Sequence, residues 1–268
     1  MRDFLVLYTH MSWAGRRQFY YSFGLLIFVC GVLALFLYPL LVKAPTCNDA
    51  KQNGTELGVD CGGSCLKFCP YQVSAPNVLW SRIFPVTGSN YNLVAYVENQ
   101  NINAGIYDIN YEFRVYDTEG KYIGRREGHT FIPPNQRIAI FESHFDVGKS
   151  IPKNATFAFT SQLLWVKQES IATGLPLKVD RIMYSEDTGA PRLQARIRND
   201  SIFSAPAFDV ITILYNTDHN AIGVSKTHLE GLGKSQSAPI IFTWPTLFKD
   251  TPVVKDILPQ INPFMVKF

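Results

Sequence analysis

The longest apolar stretch of the chain lies close to its N-terminus. No charged residue occurs from Gln18 to Val42, and the stretch lacks the polar stripe that a helix on a soluble core carries. At a rise of about 1.5 Å per residue, about 20 residues cross the roughly 30 Å hydrocarbon core of a bilayer. The pattern therefore predicts a transmembrane helix over residues 19–42, preceded by a short N-terminal segment over residues 1–18.

The charges that flank this helix predict its orientation. Arg2, Arg16 and Arg17 precede it, whereas only Lys43 follows it closely. Because positive flanks stay in the cytoplasm, we expect a single-pass protein of the cell membrane, anchored in the lipid bilayer, with a cytoplasmic N-terminus and extracytoplasmic C-terminal domains. A cleaved signal peptide is the alternative. Its apolar region would span only about 7 to 15 residues, and Pro45 makes the nearest small-residue site a poor one for cleavage.

Four of the five cysteines lie in a short polar segment, residues 43–70, directly after the predicted helix. They are Cys47, Cys61, Cys65 and Cys69. A segment of this length buries too little apolar surface to fold without cross-links. Outside the cytoplasm the cross-links would be two disulfides, for which three pairings are open. A four-cysteine zinc site is the alternative if the segment is cytoplasmic.

The same segment carries oxygen-bearing side chains whose spacing partly matches a twelve-residue calcium loop. With Asp49 at position 1, Asn53 falls at position 5 and Asp60 at position 12, with Glu56 between them. Lys51 stands at position 3, where such a loop needs an oxygen ligand. These four residues are candidate calcium ligands. The alternative is a polar, glycine-rich loop closed by disulfides, and the mismatches favour it.

The rest of the chain alternates apolar and polar positions with the two-residue period of β-strands. Residues 92–98 and 111–117 are clear examples. Turn residues such as those of 117–120 and 133–135 separate the runs, and no helical period intervenes. This pattern predicts an all-β ectodomain of the sandwich or barrel type.

The strand pattern returns one hundred positions further along the chain. Residues 93–99 resemble residues 193–199, and each segment closes on an asparagine. The repeat predicts two tandem β-sandwiches, over residues 71–162 and 163–268, joined near residues 161–173. Chance similarity between two sets of amphipathic strands is the alternative.

A family resemblance rests on these strands. The segment Phe113-Arg-Val-Tyr-Asp117 resembles the core of FxLYD-type domains, with Val115 in place of leucine, whereas Thr212–Asn216 of the second copy departs further. The chain as a whole resembles uncharacterised bacterial single-pass membrane proteins that combine one anchor, a Cys-Gly-Gly-x-Cys module and such sandwiches. The resemblance implies two tandem immunoglobulin-like β-sandwiches and no particular activity.

Charge and motifs narrow the function. Lys and Arg number 25 and Asp and Glu 22, so the sequence predicts no nucleic-acid partner. It contains neither an HExxH pair nor a GxSxG elbow, so we expect no enzyme and no cofactor apart from the candidate calcium. We expect a membrane-anchored extracytoplasmic binding or scaffold protein with a protein partner or envelope contacts. The alternatives are an accessory subunit of a secretion, pilus or transport assembly, held by its helix, and an envelope enzyme with an unrecognised site.

Overall fold

The computed structural model describes residues 13–41, 46–168, 175, 177–186 and 189–265. An N-terminal helix precedes a series of antiparallel strands. The elements are α1 (Trp13–Leu41), β1 (Asn77–Thr87), β2 (Asn90–Asn99), β3 (Ala104–Asp117), β4 (Tyr122–Ile132), β5 (Gln136–Asp146), β6 (Pro152–Phe159), β7 (Trp165–Lys167), β8 (Leu177–Ser185), β9 (Arg192–Asn199), β10 (Phe208–Tyr215), β11 (Ala221–Leu229), β12 (Ser237–Thr243) and β13 (Val254–Gln260).

Helix α1 is longer than the predicted span. It begins at Trp13 rather than at residue 19, because Ala14, Arg16 and Arg17 are good helix formers and no proline lies between Trp13 and the apolar run. Residues 13–37 are apolar and long enough to cross a membrane, and they form the one such helix within the described part of the chain. No part of that stretch is buried against the strands.

The first sandwich consists of two facing sheets. One has the strand order β1-β2-β5, and the other has the order β4-β3-β6, with β7 also paired to β3. Leu93, Ala95 and Val97 of β2 share one face and pack in a common core with Phe113 and Val115 of β3. The alternating positions seen in the sequence therefore form the inner layer of this sandwich.

The second sandwich repeats the plan with the strand orders β12-β9-β8 and β11-β10-β13. Leu193 and Ile197 of β9 pack in its core with Val210 and Leu214 of β10 and Phe242 of β12. An all-β ectodomain that follows an N-terminal helix is thus confirmed.

Two pairs of side chains show that the copies share local structure. Asn99 and Asn199 are both buried, and each side-chain amide donates to a backbone carbonyl 34 or 33 residues further on. Asp117 and Asn216 each accept hydrogen bonds from the backbone N–H groups two and four residues later. Such turns fix the chain direction after a strand, and both copies use them at corresponding points.

Strand β7 packs with the first sandwich although it lies beyond the predicted boundary of that sandwich. β7 pairs with β3 through Ala104 and Lys167, and Trp165 packs in the first core, although the predicted boundary at residues 162 and 163 assigns β7 to the second sandwich. Residues 169–174, which include the last five residues of the predicted junction, lie outside the described residues.

The cysteines form two disulfides, as the sequence predicts, and the structure selects one of the three open pairings. Cys47 bonds Cys65, and Cys61 bonds Cys69. Cys30 of α1 is the free cysteine among the described residues.

The disulfide segment docks on the first sandwich by strand-like pairing. Lys67 pairs with Val166, the Phe68 N–H donates to the Trp165 carbonyl at 3.0 Å, and the Lys167 N–H donates to the Leu66 carbonyl at 2.8 Å. Phe68 also packs against the sandwich core. The segment is therefore built onto the first sandwich.

Candidate binding clefts between the sandwiches

The two sandwiches stack through one sheet of each. The β1-β2-β5 sheet of the first faces the β11-β10-β13 sheet of the second, and their side chains form a third buried cluster. The buried members are Phe84, Val94, Tyr96, Ala139, Ile211, Ile213, Ala221 and Val224. Strands β2 and β10 are consequently buried on both faces, because each lies between its own core and the other sandwich.

Polar contacts at the rim fix the register of this stack. The Arg82 guanidinium donates to the Ala221 carbonyl at 3.2 Å, and the Gln260 side-chain amide donates to the Ala139 carbonyl at 2.8 Å. The Lys226 ammonium lies 5.6 Å from the centroid of the Phe141 ring. Each contact joins one sandwich to the other.

Two tyrosines of the interface are held in their neutral form. Burial, followed by the charge of Asp256, raises the pKa of Tyr215. The same two causes, in the same order, raise the pKa of Tyr96. The stack therefore has two phenols whose ionisation the folded protein opposes.

An apolar cleft of about 680 Å³ opens at one end of the interface. Both sandwiches contribute walls, with Phe84 and Phe141 from the first and Trp244 and Phe248 from the second. The Trp244 and Phe248 rings meet edge to face at 5.5 Å. A Cβ atom at Gly223 would lie 2.5 Å from the Phe248 ring, so glycine is needed for this aromatic wall.

A second cleft of about 790 Å³ is lined by more polar residues of both sandwiches. Asp209 accepts a hydrogen bond from Lys226 at 3.1 Å and lies 2.7 Å from Nδ1 of His228. Burial alone would raise the pKa of Asp209, but the bonds from His228 and Lys226 outweigh it and hold that pKa below its usual value. The cleft thus keeps an ionised carboxylate beside a histidine.

The facing wall of the polar cleft contains a carboxylate from the first sandwich. Glu142 accepts a hydrogen bond from the Tyr111 hydroxyl at 2.7 Å, and Arg126 lies 3.7 Å away. Burial and the bond to Glu142 raise the pKa of Tyr111. A Cβ atom at Gly128 would lie 2.5 Å from the Tyr111 hydroxyl, so glycine leaves room for this pair.

The candidate calcium ligands lie in one loop and bond to each other and to nearby backbone. Asp60 accepts from the N–H of Asp49 at 2.9 Å and from that of Ala50 at 3.0 Å. Asn53 donates to Asp49 at 2.9 Å, a bond that lowers the pKa of Asp49, and Glu56 accepts from the Asn53 N–H at 3.1 Å. These contacts agree with the closed polar loop, and calcium binding stays a prediction.

A second group with metal-ligand chemistry lies beside that loop. Cys47, Glu56 and Cys65 approach each other closely. Both sulfurs belong to one disulfide, so neither is a thiolate that could coordinate a metal.

Sequence reasoning missed the clefts and their charged residues. Asp209 and His228 are 19 residues apart in the chain and meet only across two strands, whereas Glu142 comes from the other sandwich. A usable signal was present in residues 93–97 and 210–215, where apolar side chains occupy every position but Thr212 rather than every second one. Such runs indicate strands that are buried on both faces.

Comparison with known proteins identifies no family for this chain. No family model matches the chain, and no curated protein matches it. Among solved structures, red sea bream transglutaminase aligns with 70% of this chain at 8% identity and a TM-score of 0.24. The alignment covers 29% of the transglutaminase chain, and a likeness at this TM-score carries no argument about fold or function.

Proposed function

We propose that this protein is a membrane-anchored, extracytoplasmic binding protein that presents two stacked β-sandwiches to a protein partner. The stacked pair supports this proposal most strongly, because its buried apolar cluster holds two clefts between the sandwiches. A cleft bordered by two domains keeps its width only while the domains stay together. The proposal includes no catalytic step.

The anchor and its orientation are supported by the start of the chain. The apolar part of α1 follows Arg16 and Arg17, and positive residues favour the cytoplasmic side. The paired cysteines after the helix suit an oxidising compartment. Helix α1 would therefore hold the N-terminus inside and carry the sandwiches outside.

We also infer that both sandwiches are immunoglobulin-like modules of the FxLYD type. Phe113 and Val115 of the motif are fully buried, and Asp117 closes it as a turn residue. The second copy keeps Tyr215 and replaces the aspartate by Asn216 in the same turn.

A protein segment is the ligand that the lining of the clefts fits best. Aromatic side chains and a few charged groups dominate the binding energy of protein interfaces, and both kinds line these clefts. Phe141, Trp244 and Phe248 would receive apolar side chains of the partner, and Lys226 and His228 would meet its polar groups.

Photo-crosslinking in native membranes tests the proposal. A photoreactive residue would replace Leu247 in the apolar cleft or His129 in the polar cleft of the full chain, since both side chains are exposed. We expect a discrete adduct of one size from each position. Arg125 is the matched control, because it is exposed on β4 and lines neither cleft.

Two further versions of the chain make this experiment decisive. Val94→Gln with Tyr96→Arg would separate the sandwiches, and the adducts should then disappear. Replacing α1 by an unrelated transmembrane helix should leave them unchanged. Adducts that persist in the separated variant, or that depend on the native helix, would contradict binding in the clefts, and the second result would favour a subunit held in an assembly by its helix.

A further inference from the structure

The disulfide module, residues 46–72, exposes several large apolar side chains. Four large apolar side chains of this module are exposed: Leu57 by 52%, Val59 by 56%, Leu66 by 65% and Tyr71 by 71%. Phe68 of the module already packs against the first sandwich, as does Val73 directly after it. The module thus has one apolar side that the protein covers and further apolar residues that it leaves exposed.

The exposed apolar residues lie beside the point where the chain enters the module. The Cys47–Cys65 disulfide brings the Cα atoms to within 5.6 Å, and Leu66 follows Cys65 directly. Val59 precedes Asp60, whose carboxylate accepts the Asp49 N–H. Leu66 and Val59 are therefore close in the fold to the first residues of the module.

Leu57 and Tyr71 belong to the same surface. The Tyr71 hydroxyl donates to the Leu57 carbonyl at 3.0 Å, and the Leu57 N–H donates to the Cys61 carbonyl at 3.1 Å. The loop that carries Leu57 and Val59 is thereby closed on itself and on the second disulfide, Cys61–Cys69.

The short tether limits how far this surface can lie from a bilayer. Helix α1 has 29 residues and spans about 44 Å, which matches a bilayer with its headgroups. Cys47 follows Leu41 by only six positions, and six residues span at most about 22 Å even when fully extended. The module is thus confined to the zone next to the headgroups if α1 crosses the membrane.

We propose that Leu57, Val59, Leu66 and Tyr71 rest on the outer lipid surface, with their side chains in the interfacial region of the bilayer. The proposal rests on the membrane anchor proposed above. Apolar side chains and a tyrosine are favourable at the boundary of headgroups and acyl chains, where they penetrate about 5 to 10 Å. Since the module also pairs with β7, this contact would set the tilt of the sandwiches above the membrane.

Fluorescence quenching in phosphatidylcholine nanodiscs tests the contact with the full chain. An environment-sensitive fluorescent amino acid would replace Val59, Leu66, Val29 of the helix or Ser237 of the second sandwich, one at a time. The lipids would carry a spin label either near the headgroup or deep in the acyl chain. We expect Val59 and Leu66 to lose most of their fluorescence to the shallow label, Val29 to the deep label, and Ser237 to neither.

The four positions separate failure of this inference from failure of the anchor. If Val29 is quenched while Val59 and Leu66 keep their fluorescence, the anchor stands and the lipid contact of the module is wrong. If Val29 is not quenched by either label, the anchor itself is wrong and the lipid contact fails with it. Two probe positions in the module guard against a local folding defect. A defect caused by one substitution would not make both variants report the same depth.

Discussion

Tyr96 and Arg196 occupy corresponding positions in β2 and β9, but they face different surroundings. Tyr96 is buried in the contact between the two sandwiches. Arg196 lies on the outer face of the second sandwich, where Nε and Nη2 each donate to the Asp180 carboxylate at 2.8 Å. The same strand position is therefore an interface residue in one copy and a solvated ion pair in the other.

Strand β10, on the other side of the interface, shows the same exchange of apolar residues for charged ones. When Phe113–Asp117 is aligned with Thr212–Asn216, Ile211 and Ile213 of the interface correspond to Glu112 and Arg114, which form an ion pair. Each outer sheet thus carries charges where the inner sheet carries apolar side chains. Such polar outer faces are typical of the terminal repeats of a stack.

The first prediction concerns a variant in which the two sandwiches separate. Val94→Gln combined with Tyr96→Arg copies the outward residues of β9 into the buried contact and should cost about 3 to 5 kcal/mol, because polar groups are buried without partners. Calorimetry should then show two unfolding transitions for the strand region. The control Val94→Ile with Tyr96→Phe keeps the surface apolar, and it should not split the unfolding into two transitions, even if the added methylene lowers stability slightly.

The second prediction concerns the reciprocal substitutions in β9. Gln194→Val with Arg196→Tyr places an interface-like apolar pair on the outer face of β9, and exposed apolar patches promote association. We expect detergent-solubilised protein to form larger species as its concentration rises, measured by light scattering after size exclusion. An unchanged mass at all concentrations would show that the outer sheet differs from the interface in more than these two residues.

The repeat and the strand plan could be predicted because they depend on local pattern. Leu93, Ala95 and Val97 alternate with other residues, and Asn99 and Asn199 stand one hundred positions apart. The apolar run in α1 likewise predicts that its residues form a helix. In each case the physical cause lies within a few neighbouring residues.

The clefts could not be predicted because they depend on how the sandwiches stack. The consecutive apolar residues around Val94 and Tyr96 indicate a strand that is covered on both faces, but nothing local says which sheet covers it. The disulfide pairing is similar, since Cys47 could reach Cys61, Cys65 or Cys69 by chain length alone and the fold of the loop decides.

The third prediction concerns the buried asparagine of the first copy. Asn99 donates to the carbonyls of Ala104 and Pro133 at 2.8 Å, and it accepts from the Asn101 N–H at 3.0 Å. Asn99→Ala leaves these groups unpaired and should lower the free energy of unfolding by about 2 to 4 kcal/mol. Denaturant titration measures this loss, and the exposed Asn154→Ala should leave stability nearly unchanged. A loss of equal size in both variants would contradict the role of the buried bonds.

The fourth prediction is a loss of stability at alkaline pH. The pKa of Tyr215 is raised in the folded state, so its contribution is present below the unfolded value of about 10 and is lost as the pH rises towards the folded value. Tyr215→Phe should therefore flatten the fall in melting temperature above that pH. Tyr122→Phe is the control, because Tyr122 is exposed at the start of β4, and it should keep the slope of the original chain.

The side of the membrane on which the sandwiches lie tests the account most directly. In a Cys30→Ala background, a cysteine would replace Ser237, which is exposed on β12, or Ser12, which directly precedes Trp13 in the sequence. A membrane-impermeant maleimide should label Ser237→Cys in intact cells and Ser12→Cys only after permeabilisation. Labelling of Ser12→Cys in intact cells, with Ser237→Cys protected until the membrane is opened, would contradict the anchored extracytoplasmic protein proposed here.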